Sequence, residues 1–292
     1  MGIPDILFKY TSLETTKIIL KNCTLRWSNS YVFNDILEFQ RMPVFSPAVE
    51  ERYHDYIDLL VGNIYDEKEL DVKKLSSLSQ QLLMAISLNR KHGVTKENLI
   101  NDLKTIDCPL KQQDVSNTLR ESVGLWGNQY ARILCFTSEV DNEMMWGLYA
   151  DNHYGCVLGF KSDYNIMSPF SEAEPVRYTE NNPTIGDGID FLLYGETPKL
   201  RIKTFKAVCY TKSNRWSYEN EWRLITWRHE DSGESGDYKF YNEELESITF
   251  GNRMSEDARN EIKELVLNKY KSCTFYEIVV IDGVLSRQRV LG

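Results

Sequence analysis

The sequence predicts an α+β fold in which a mixed-sheet core carries an all-helical insertion. Short apolar runs with strand-like alternation fall in residues 1–48 and 125–292, whereas residues 49–124 have none. That middle stretch contains few Gly and Pro residues, and its leucines recur at helical spacing. We therefore assign residues 1–48 and 125–292 to an α+β core and residues 49–124 to a helical insertion.

The chain begins with a predicted strand–helix–strand unit. Residues 6–10 predict a strand, and residues 23–27 alternate as a second strand. Between them, Thr11 and Glu14 fit a capping box, in which the Thr11 hydroxyl caps the helix and Glu14 reaches back to it. The helix is predicted to end at about Lys21.

The insertion is predicted to contain three to four helices. Residues 75–90 carry apolar side chains at helical spacing and predict a largely buried helix. Thr95 is the predicted N-cap of a further helix that carries Leu99 and Leu103.

Strand signals return after residue 130. The predicted strands are Ile133–Thr137, Cys156–Lys161, Val176–Tyr178, Trp222–Trp227, Asp237–Tyr241, Glu246–Phe250 and Cys273–Ile281. The predicted helices among them are Asn142–Asp151, about 188–206 and about 255–269. Together with the N-terminal unit, these elements make up the α+β core.

Composition and charge limit the classes of function. The formal net charge of −9 and the pI of about 5.1 argue against a generic nucleic-acid binder, although they do not exclude a local basic groove. No apolar run reaches membrane-span length and no signal peptide is evident, so we expect no membrane association. Six scattered cysteines favour reduced thiols and a cytoplasmic protein. The four histidines show no metal-ligand spacing, so we expect no metal site.

The densest group of ionisable side chains lies where a polar turn enters a predicted strand. Strand alternation would place Glu219, Glu221 and Arg223 on one face, and Trp222 and Leu224 on the other. Such a group forms either an exposed ion pair on an edge strand or part of a functional site.

Five segments resemble those of a bacterial family of proteins of unknown function. They are residues 8–10 (FKY), 25–38 with its FND motif, 135–139 (CFTSE), 145–155 (MWGLYADNHYG) and 218–223 (YENEWR). The last two segments are specific in combination. The family by itself implies no chemistry.

The opening of the chain also resembles, more distantly, the ADP-ribosyltransferase domains of bacterial toxins. Those domains begin with an aromatic residue, a polar or basic residue, a spacer and Thr or Ser, which residues 8–11 match. The resemblance implies an ADP-ribosyltransferase-like sheet core with NAD as the substrate, and it places Lys9, Tyr10 and Thr11 at the NAD site. The superfamily has His or Arg where this chain has Lys9, which keeps a donor but lacks the planar fork of arginine.

The same resemblance implies a catalytic glutamate at the start of a strand. Glu221 fits this position and would stabilise the oxocarbenium ion that forms as nicotinamide leaves. Glu219 would be the second catalytic carboxylate, two residues earlier. Arg223 would hold the NAD pyrophosphate or orient the Glu221 carboxylate.

The resemblance further implies a hydroxyl or an aromatic ring beside the nicotinamide. This group would come from Thr137-Ser138 or from Trp146 and Tyr149. The predicted turn at Asn34 and Asp35 would support the site.

Three functions from different classes are open at this point. The first is an NAD-dependent ADP-ribosyltransferase-like toxin or phage-defence effector, which would modify protein or nucleic acid and have an antitoxin or chaperone partner. The second is a non-enzymatic member of the fold that uses the same cleft to bind a ligand or partner. The third is a metal-dependent nuclease with Asp35, Glu38, Glu219 and Glu221 as ligands.

Overall fold

The structure, a computed structural model, describes residues 2–67, 70–161, 168–228 and 235–290, apart from the side chains of residues 126–128. In chain order its strands are β1 (Ile6–Thr11), β2 (Thr24–Ser28), β3 (Val44–Phe45), β4 (Ala131–Thr137), β5 (Cys156–Lys161), β6 (Glu174–Pro175), β7 (Arg177–Tyr178), β8 (Thr184–Gly186), β9 (Thr211–Lys212), β10 (Glu221–Trp227), β11 (Ser235–Lys239), β12 (Leu245–Phe250), β13 (Thr274–Ile281) and β14 (Val284–Arg289). Its helices are α1 (Leu13–Asn22), α2 (Tyr53–Tyr65), α3 (Ser77–Lys91), α4 (Lys96–Lys104), α5 (Gln112–Gln129), α6 (Glu143–Tyr149), α7 (Gly188–Tyr194), α8 (Pro198–Cys209) and α9 (Glu256–Leu267). None of the helices in these ranges has both the length and the apolar character needed to cross a membrane.

Ten strands of the described chain form one mixed sheet. Eight of them follow the order β11–β2–β4–β1–β5–β12–β13–β14, while β10 pairs with β4 and β6 pairs with β10. The β12–β13 pair is parallel, and the other pairs of this sheet are antiparallel. The predicted α+β class with a mixed sheet is therefore confirmed.

Strand β4 is the branching point of this sheet. Along one edge β10 pairs with every residue of β4. On the other edge, the described pairs join β1 at Phe8–Thr137 and β2 at Ser28–Ile133. The middle of this edge of β4 therefore has no strand partner among the described residues, and β1 and β2 diverge beside it.

Both faces of the sheet are covered by apolar side chains. On one face Phe136 and Trp222 belong to the main hydrophobic cluster, which also includes residues of helices α1 and α9. On the other face Phe8 and Tyr10 pack with Trp146 of α6. Because Thr137 is in register with both Phe8 and Glu221, the side chain of Glu221 lies on this second face.

A second compact unit comprises residues 39–123 and 181–211. Its own hydrophobic core is formed by residues of α2, α3, α4 and α7, including Ile57, Leu60 and Ile86. In residues 49–124, the described part contains α2, α3, α4 and most of α5, and it contains no strand. The unit also takes in residues 39–48 and 181–211, which the sequence analysis assigned to the α+β core.

The first helix begins one residue later than the sequence predicts. Ser12, rather than Thr11, is the N-cap of α1, and its hydroxyl accepts a hydrogen bond from the amide of Thr15. Strand β1 continues through Thr11, whose hydroxyl lies 2.7 Å from that of Thr16. The predicted N-cap at Thr95 is confirmed, because its hydroxyl accepts from the amide of Asn98.

Two further helix predictions are wrong in detail. Helix α3 is amphipathic rather than largely buried, since it buries Leu83 but leaves Met84 exposed. The helix predicted over residues 188–206 is broken into α7 and α8. Gly195, at a φ of 65°, ends α7, and Pro198 begins α8 because proline fits the first turn of a helix.

The turn that follows α6 depends on a glycine. Asp151, Asn152 and His153 all have positive φ angles, so the chain reverses through three left-handed residues. It then passes so close to β1 that a Cβ atom on Gly155 would lie 2.1 Å from the carbonyl oxygen of Thr11. Only glycine fits there without a backbone shift.

We expect Gly155→Ala to lower the free energy of unfolding by at least about 2 kcal/mol, because the new methyl group meets backbone rather than a movable side chain. The matched control is Gly147→Ala within α6, where a Cβ atom would have no neighbour within 4 Å. That variant should gain up to about 1 kcal/mol from helix propensity. Chemical denaturation measures both, and equal effects would contradict the described turn.

Candidate functional site

A cavity of about 320 Å³ opens where β1 and β2 diverge beside β4. Seven of the residues predicted to form the site line it: Lys9, Tyr10, Asn34, Asp35, Tyr149, Glu219 and Glu221. They come from parts of the chain more than 200 positions apart, so the fold rather than local sequence brings them together.

The other four predicted site residues do not line this cavity. Thr11 is buried, and its hydroxyl is hydrogen-bonded to that of Thr16. Ser138 is exposed. Trp146 is fully buried, donates from its indole nitrogen to the carbonyl of Val140 at 2.9 Å and packs edge-on against Tyr10. Arg223 is fully buried and bonds to Glu221.

The two glutamates are positioned by a turn that leads into β10. Glu219 ends a 3₁₀ turn that begins at Asn214, and Asn220 adopts a left-handed conformation with a φ of 42°. Glu221 then starts β10, and its amide donates to the Tyr178 hydroxyl at 2.8 Å. Both carboxylates are buried, so they are not an exposed ion pair on an edge strand.

Arg223 holds two of the buried carboxylates. It lies two residues after Glu221 on the same strand face and donates to both of its oxygens, from Nε at 2.7 Å and from Nη2 at 2.9 Å. Its Nη1 donates to Glu38 Oε1 at 2.7 Å. The second oxygen of Glu38 is buried without a hydrogen-bond partner among the described groups. Such two-pronged pairing fixes the orientation of the Glu221 carboxylate.

Lys212 joins the two glutamates of the cavity. Its Nζ donates to Glu219 Oε2 at 2.6 Å and to Glu221 Oε2 at 3.2 Å. It also lies 3.9 Å from Glu38 Oε2 and 4.8 Å from the centre of the Trp216 ring. The sequence analysis missed this lysine, because nothing in its immediate surroundings distinguishes it from a lysine on a short edge strand.

We call Glu38, Lys212, Glu219, Glu221 and Arg223 the buried ionic cluster. Three carboxylates and two cations give it a formal charge of −1 if all are ionised. Each member of the cluster is at most 8% exposed. Charges so far from water must be paired with one another, because the cost of desolvating an unpaired charge is several kcal/mol.

Burial and the neighbouring charges shift the pKa values of Glu221, Glu38 and Lys212. Burial alone would raise the pKa of Glu221, but the charges of Arg223 and Lys212 outweigh it and lower this pKa to about 2. Burial raises the pKa of Glu38, and Arg223 only partly opposes it. Burial would lower the pKa of Lys212, but the neighbouring carboxylates raise it instead. Glu221 and Lys212 are therefore charged at neutral pH.

Lys9 reaches the cavity from the opposite face of β1. Its register partner Leu158 belongs to the main hydrophobic cluster, so the Lys9 side chain starts on the face away from Glu221. Its Nζ nevertheless donates at 3.0 Å to the carbonyl of Cys135, in the gap where β4 has no strand partner. Burial lowers the pKa of Lys9. Lys9 and Glu221 thus line one cavity although they arise from opposite faces.

Tyr149 and Cys135 complete the polar lining. The Tyr149 hydroxyl donates to Glu219 Oε1 at 2.6 Å. Burial, and then this bond, raise the pKa of Tyr149, while a hydrogen bond with Asn34 opposes the rise. The Cys135 thiol lines the cavity and bonds to Glu221, and burial raises its pKa well above the usual value. The cavity can therefore offer a ligand a fixed negative charge, the ammonium group of Lys212 and the Tyr149 hydroxyl oxygen as an acceptor.

Three of the four carboxylates proposed for a nuclease, Glu38, Glu219 and Glu221, are already paired with cations. Arg223 binds Glu38 and Glu221, and Lys212 binds Glu219 and Glu221. In the part of the chain that the structure describes, no group of three or more His, Cys, Asp or Glu residues is arranged to hold a metal ion. The residues present therefore do not fit the nuclease hypothesis.

Comparison with known proteins gives a match to one family model, over part of the chain, and no chemistry. The family model described as "Protein of unknown function (DUF2971)" matches residues 145–224. This span contains the MWGLYADNHYG and YENEWR segments, as well as Lys212. The other three segments precede it in the chain. Neither the curated proteins nor the solved structures gave a match.

We expect Arg223→Met to lower the free energy of unfolding by about 3–5 kcal/mol, because it leaves Glu221 and Glu38 buried without their main counter-charge. The matched control is Arg26→Met on β2. Arg26 pairs with Asp237 at 3.0 Å, but its side chain is 64% exposed. Its loss should cost less than about 1 kcal/mol. Urea denaturation measures the free energy of unfolding of both variants. Similar losses of this free energy in the two variants would contradict the buried ionic cluster.

The lowered pKa of Glu221 gives a prediction about pH. A carboxylate whose pKa falls from 4.5 to about 2 on folding stabilises the protein above its unfolded pKa, and the benefit fades as pH falls towards 2. The stability difference between wild type and Glu221→Gln should therefore shrink by about 2 kcal/mol between about pH 5 and about pH 3. Denaturant titrations at these pH values measure the difference, and a constant difference would mean that Glu221 is not ionised by the cluster.

Proposed function

We propose that the cavity binds NAD and that the protein is an ADP-ribosyltransferase that modifies a macromolecular acceptor. One observation carries this proposal. The ionised Glu221 at the start of β10 lines the same cavity as Lys9 and Tyr10 of β1. The resemblance to ADP-ribosyltransferase domains relates two motifs to NAD. One is the opening motif with Lys9 and Tyr10, and the other is the glutamate at a strand start, Glu221.

The cavity is suited to the nicotinamide end of NAD. Its volume of about 320 Å³ is within the range of small-molecule sites, roughly 300–1,000 Å³. The rings of Phe8, Phe33 and Phe136 contribute apolar surface for a flat ring, and Lys9 contributes a hydrogen-bond donor. Tyr149 and Asn34 add hydrogen-bonding groups for ribose hydroxyls.

The reaction requires stabilisation of positive charge rather than proton transfer by Glu221. The bond between C1′ of the ribose and the nicotinamide nitrogen breaks, and its electron pair leaves with nicotinamide. The acceptor's nucleophile bonds to C1′ and releases its proton to solvent. With a pKa of about 2, Glu221 is unprotonated at neutral pH and supplies a fixed negative charge where positive charge develops.

The remaining members of the cluster hold Glu221 in place. Arg223, which does not line the cavity, fixes both carboxylate oxygens, so little reorganisation is needed during the reaction. A carboxylate can accept about four hydrogen bonds, and in Glu221 these come from Arg223 (two), Lys212 and the Cys135 thiol. A ribose hydroxyl that bonds to Glu221 would therefore take the place of the Cys135 thiol, which lines the cavity, and Arg223 would remain bound.

A second candidate is a binding protein that uses the cavity without catalysis. The observation in its favour is that Arg223 and Lys212 offset most of the negative charge of Glu221. A carboxylate so compensated stabilises a developing cation less than a free one would. This candidate predicts that NAD or a related ligand binds without turnover.

We expect the wild-type protein to release nicotinamide from NAD, and Glu221→Gln to release it roughly 100- to 1,000-fold more slowly. The matched control is Glu38→Gln. Glu38 also accepts a hydrogen bond from Arg223, but it is not among the residues that line the cavity. Its rate should fall less than about tenfold, since only the support of Arg223 changes. Chromatography of free nicotinamide measures all three rates.

Binding and stability measurements make these rates interpretable. Calorimetric titration with NAD separates loss of binding from loss of turnover, and circular dichroism reports whether each variant is folded. If the wild type binds NAD but releases no nicotinamide, the binding protein is the correct assignment. If Glu221→Gln and Glu38→Gln slow the reaction equally, Glu221 has no role beyond support of Arg223.

A further inference from the structure

We propose that Lys212 is a positioning residue, whose ammonium group clamps the carboxylates of Glu219 and Glu221 together at the wall of the cavity. This inference rests on the proposed function for its catalytic meaning. The clamp itself is a property of the folded protein and can be tested without NAD.

The contacts of Lys212 carry the inference. Its ammonium group lies 2.6 Å from Glu219 Oε2 and 3.2 Å from Glu221 Oε2, and it lines the cavity. The Lys212 side chain is 9% exposed, and the Trp216 ring covers the ammonium group at 4.8 Å. Water therefore cannot replace the lysine as the partner of either carboxylate at low cost.

Arg223 cannot take over this role. Its guanidinium group bonds to Glu221 and Glu38, and no ion pair joins it to Glu219 among the described contacts. The other group bound to Glu219 is the Tyr149 hydroxyl, which is neutral. Lys212 is thus the cation that links Glu219 to the rest of the buried ionic cluster.

Without Lys212, two buried carboxylates would face each other across the vacated space. Like charges at this separation repel, and each would favour protonation or rotation away from the cavity. Lys212→Ala removes the part of the side chain equivalent to propylammonium. A propylammonium ion added to the solution therefore has the size and the donors needed to restore the clamp.

The first test measures thermal unfolding in the absence of NAD. Lys212→Ala should lower the Tm by roughly 10 °C. Propylammonium chloride should raise the Tm of this variant by roughly 5 °C relative to sodium chloride at the same concentration, and leave the wild type unchanged. Two other additives should not raise the Tm of Lys212→Ala: tetramethylammonium, which cannot donate hydrogen bonds, and 1-propanol, which carries no charge.

Lys9→Ala is the matched control for this test. Lys9 is a buried lysine of the same cavity, but its partner is the carbonyl of Cys135 rather than a pair of carboxylates. Propylammonium should therefore give Lys9→Ala less than half of the gain that it gives Lys212→Ala. Equal gains, or a gain of Lys212→Ala with 1-propanol, would overturn the proposed clamp, because filling of space alone would then explain the effect.

The second test uses turnover and the conservative variant. Lys212→Arg keeps the charge and should keep nicotinamide release within about tenfold of wild type, whereas Lys212→Met should lose roughly 100-fold. If Lys212→Met is folded and as active as wild type, Lys212 does not position the glutamates.

If the wild type shows no turnover, the NAD proposal fails, and the thermal measurements still decide whether the clamp exists. If Lys212→Ala folds only when propylammonium is present, the clamp is supported. If Lys212→Met folds in the absence of propylammonium and has the Tm of the wild type, the clamp is overturned.

Discussion

The pairing of Arg223 with Glu221 is the interaction on which the site depends. A fully buried guanidinium group needs a counter-charge within hydrogen-bonding distance, and Glu221 supplies two oxygens at 2.7 Å and 2.9 Å. Glu38 completes the pairing from a segment 185 positions away in the chain. The requirement that these charges remain paired therefore fixes the start of β10 against the end of the N-terminal segment.

The same pairing gives the cavity its chemical character. Arg223 approaches Glu221 along the strand and is itself fully buried, while Lys212 approaches from within the cavity lining. Glu221 is therefore ionised and oriented before any ligand arrives, which is the property that electrostatic catalysis requires. The divergence of β1 and β2 beside β4 makes room for a ligand next to it, and the Lys9 side chain fills part of this gap.

Local sequence was sufficient to predict the parts of the site that depend on alternation along one strand. Glu221 and Arg223 share a face, and Trp222 is buried in the core on the other, because successive side chains of a strand point to opposite faces. Lys212 and the role of Glu38 could not be predicted, because their partners are distant in sequence and a lone lysine or glutamate is usually exposed. The break in the helix at Gly195 was missed because the apolar periodicity continues across it. Gly195, followed three positions later by Pro198, is nevertheless a sequence pattern that indicates a helix break.

The structure of crystals soaked with NAD tests the central claim most directly. The account predicts density for the nicotinamide ribose in the cavity, with a ribose hydroxyl within hydrogen-bonding distance of Glu221 and with Arg223 still bound to both of its oxygens. NAD bound elsewhere on the protein, or bound in the cavity with Glu221 turned away from the ribose, would contradict the assignment of Glu221 as the residue that stabilises the oxocarbenium ion formed as nicotinamide leaves.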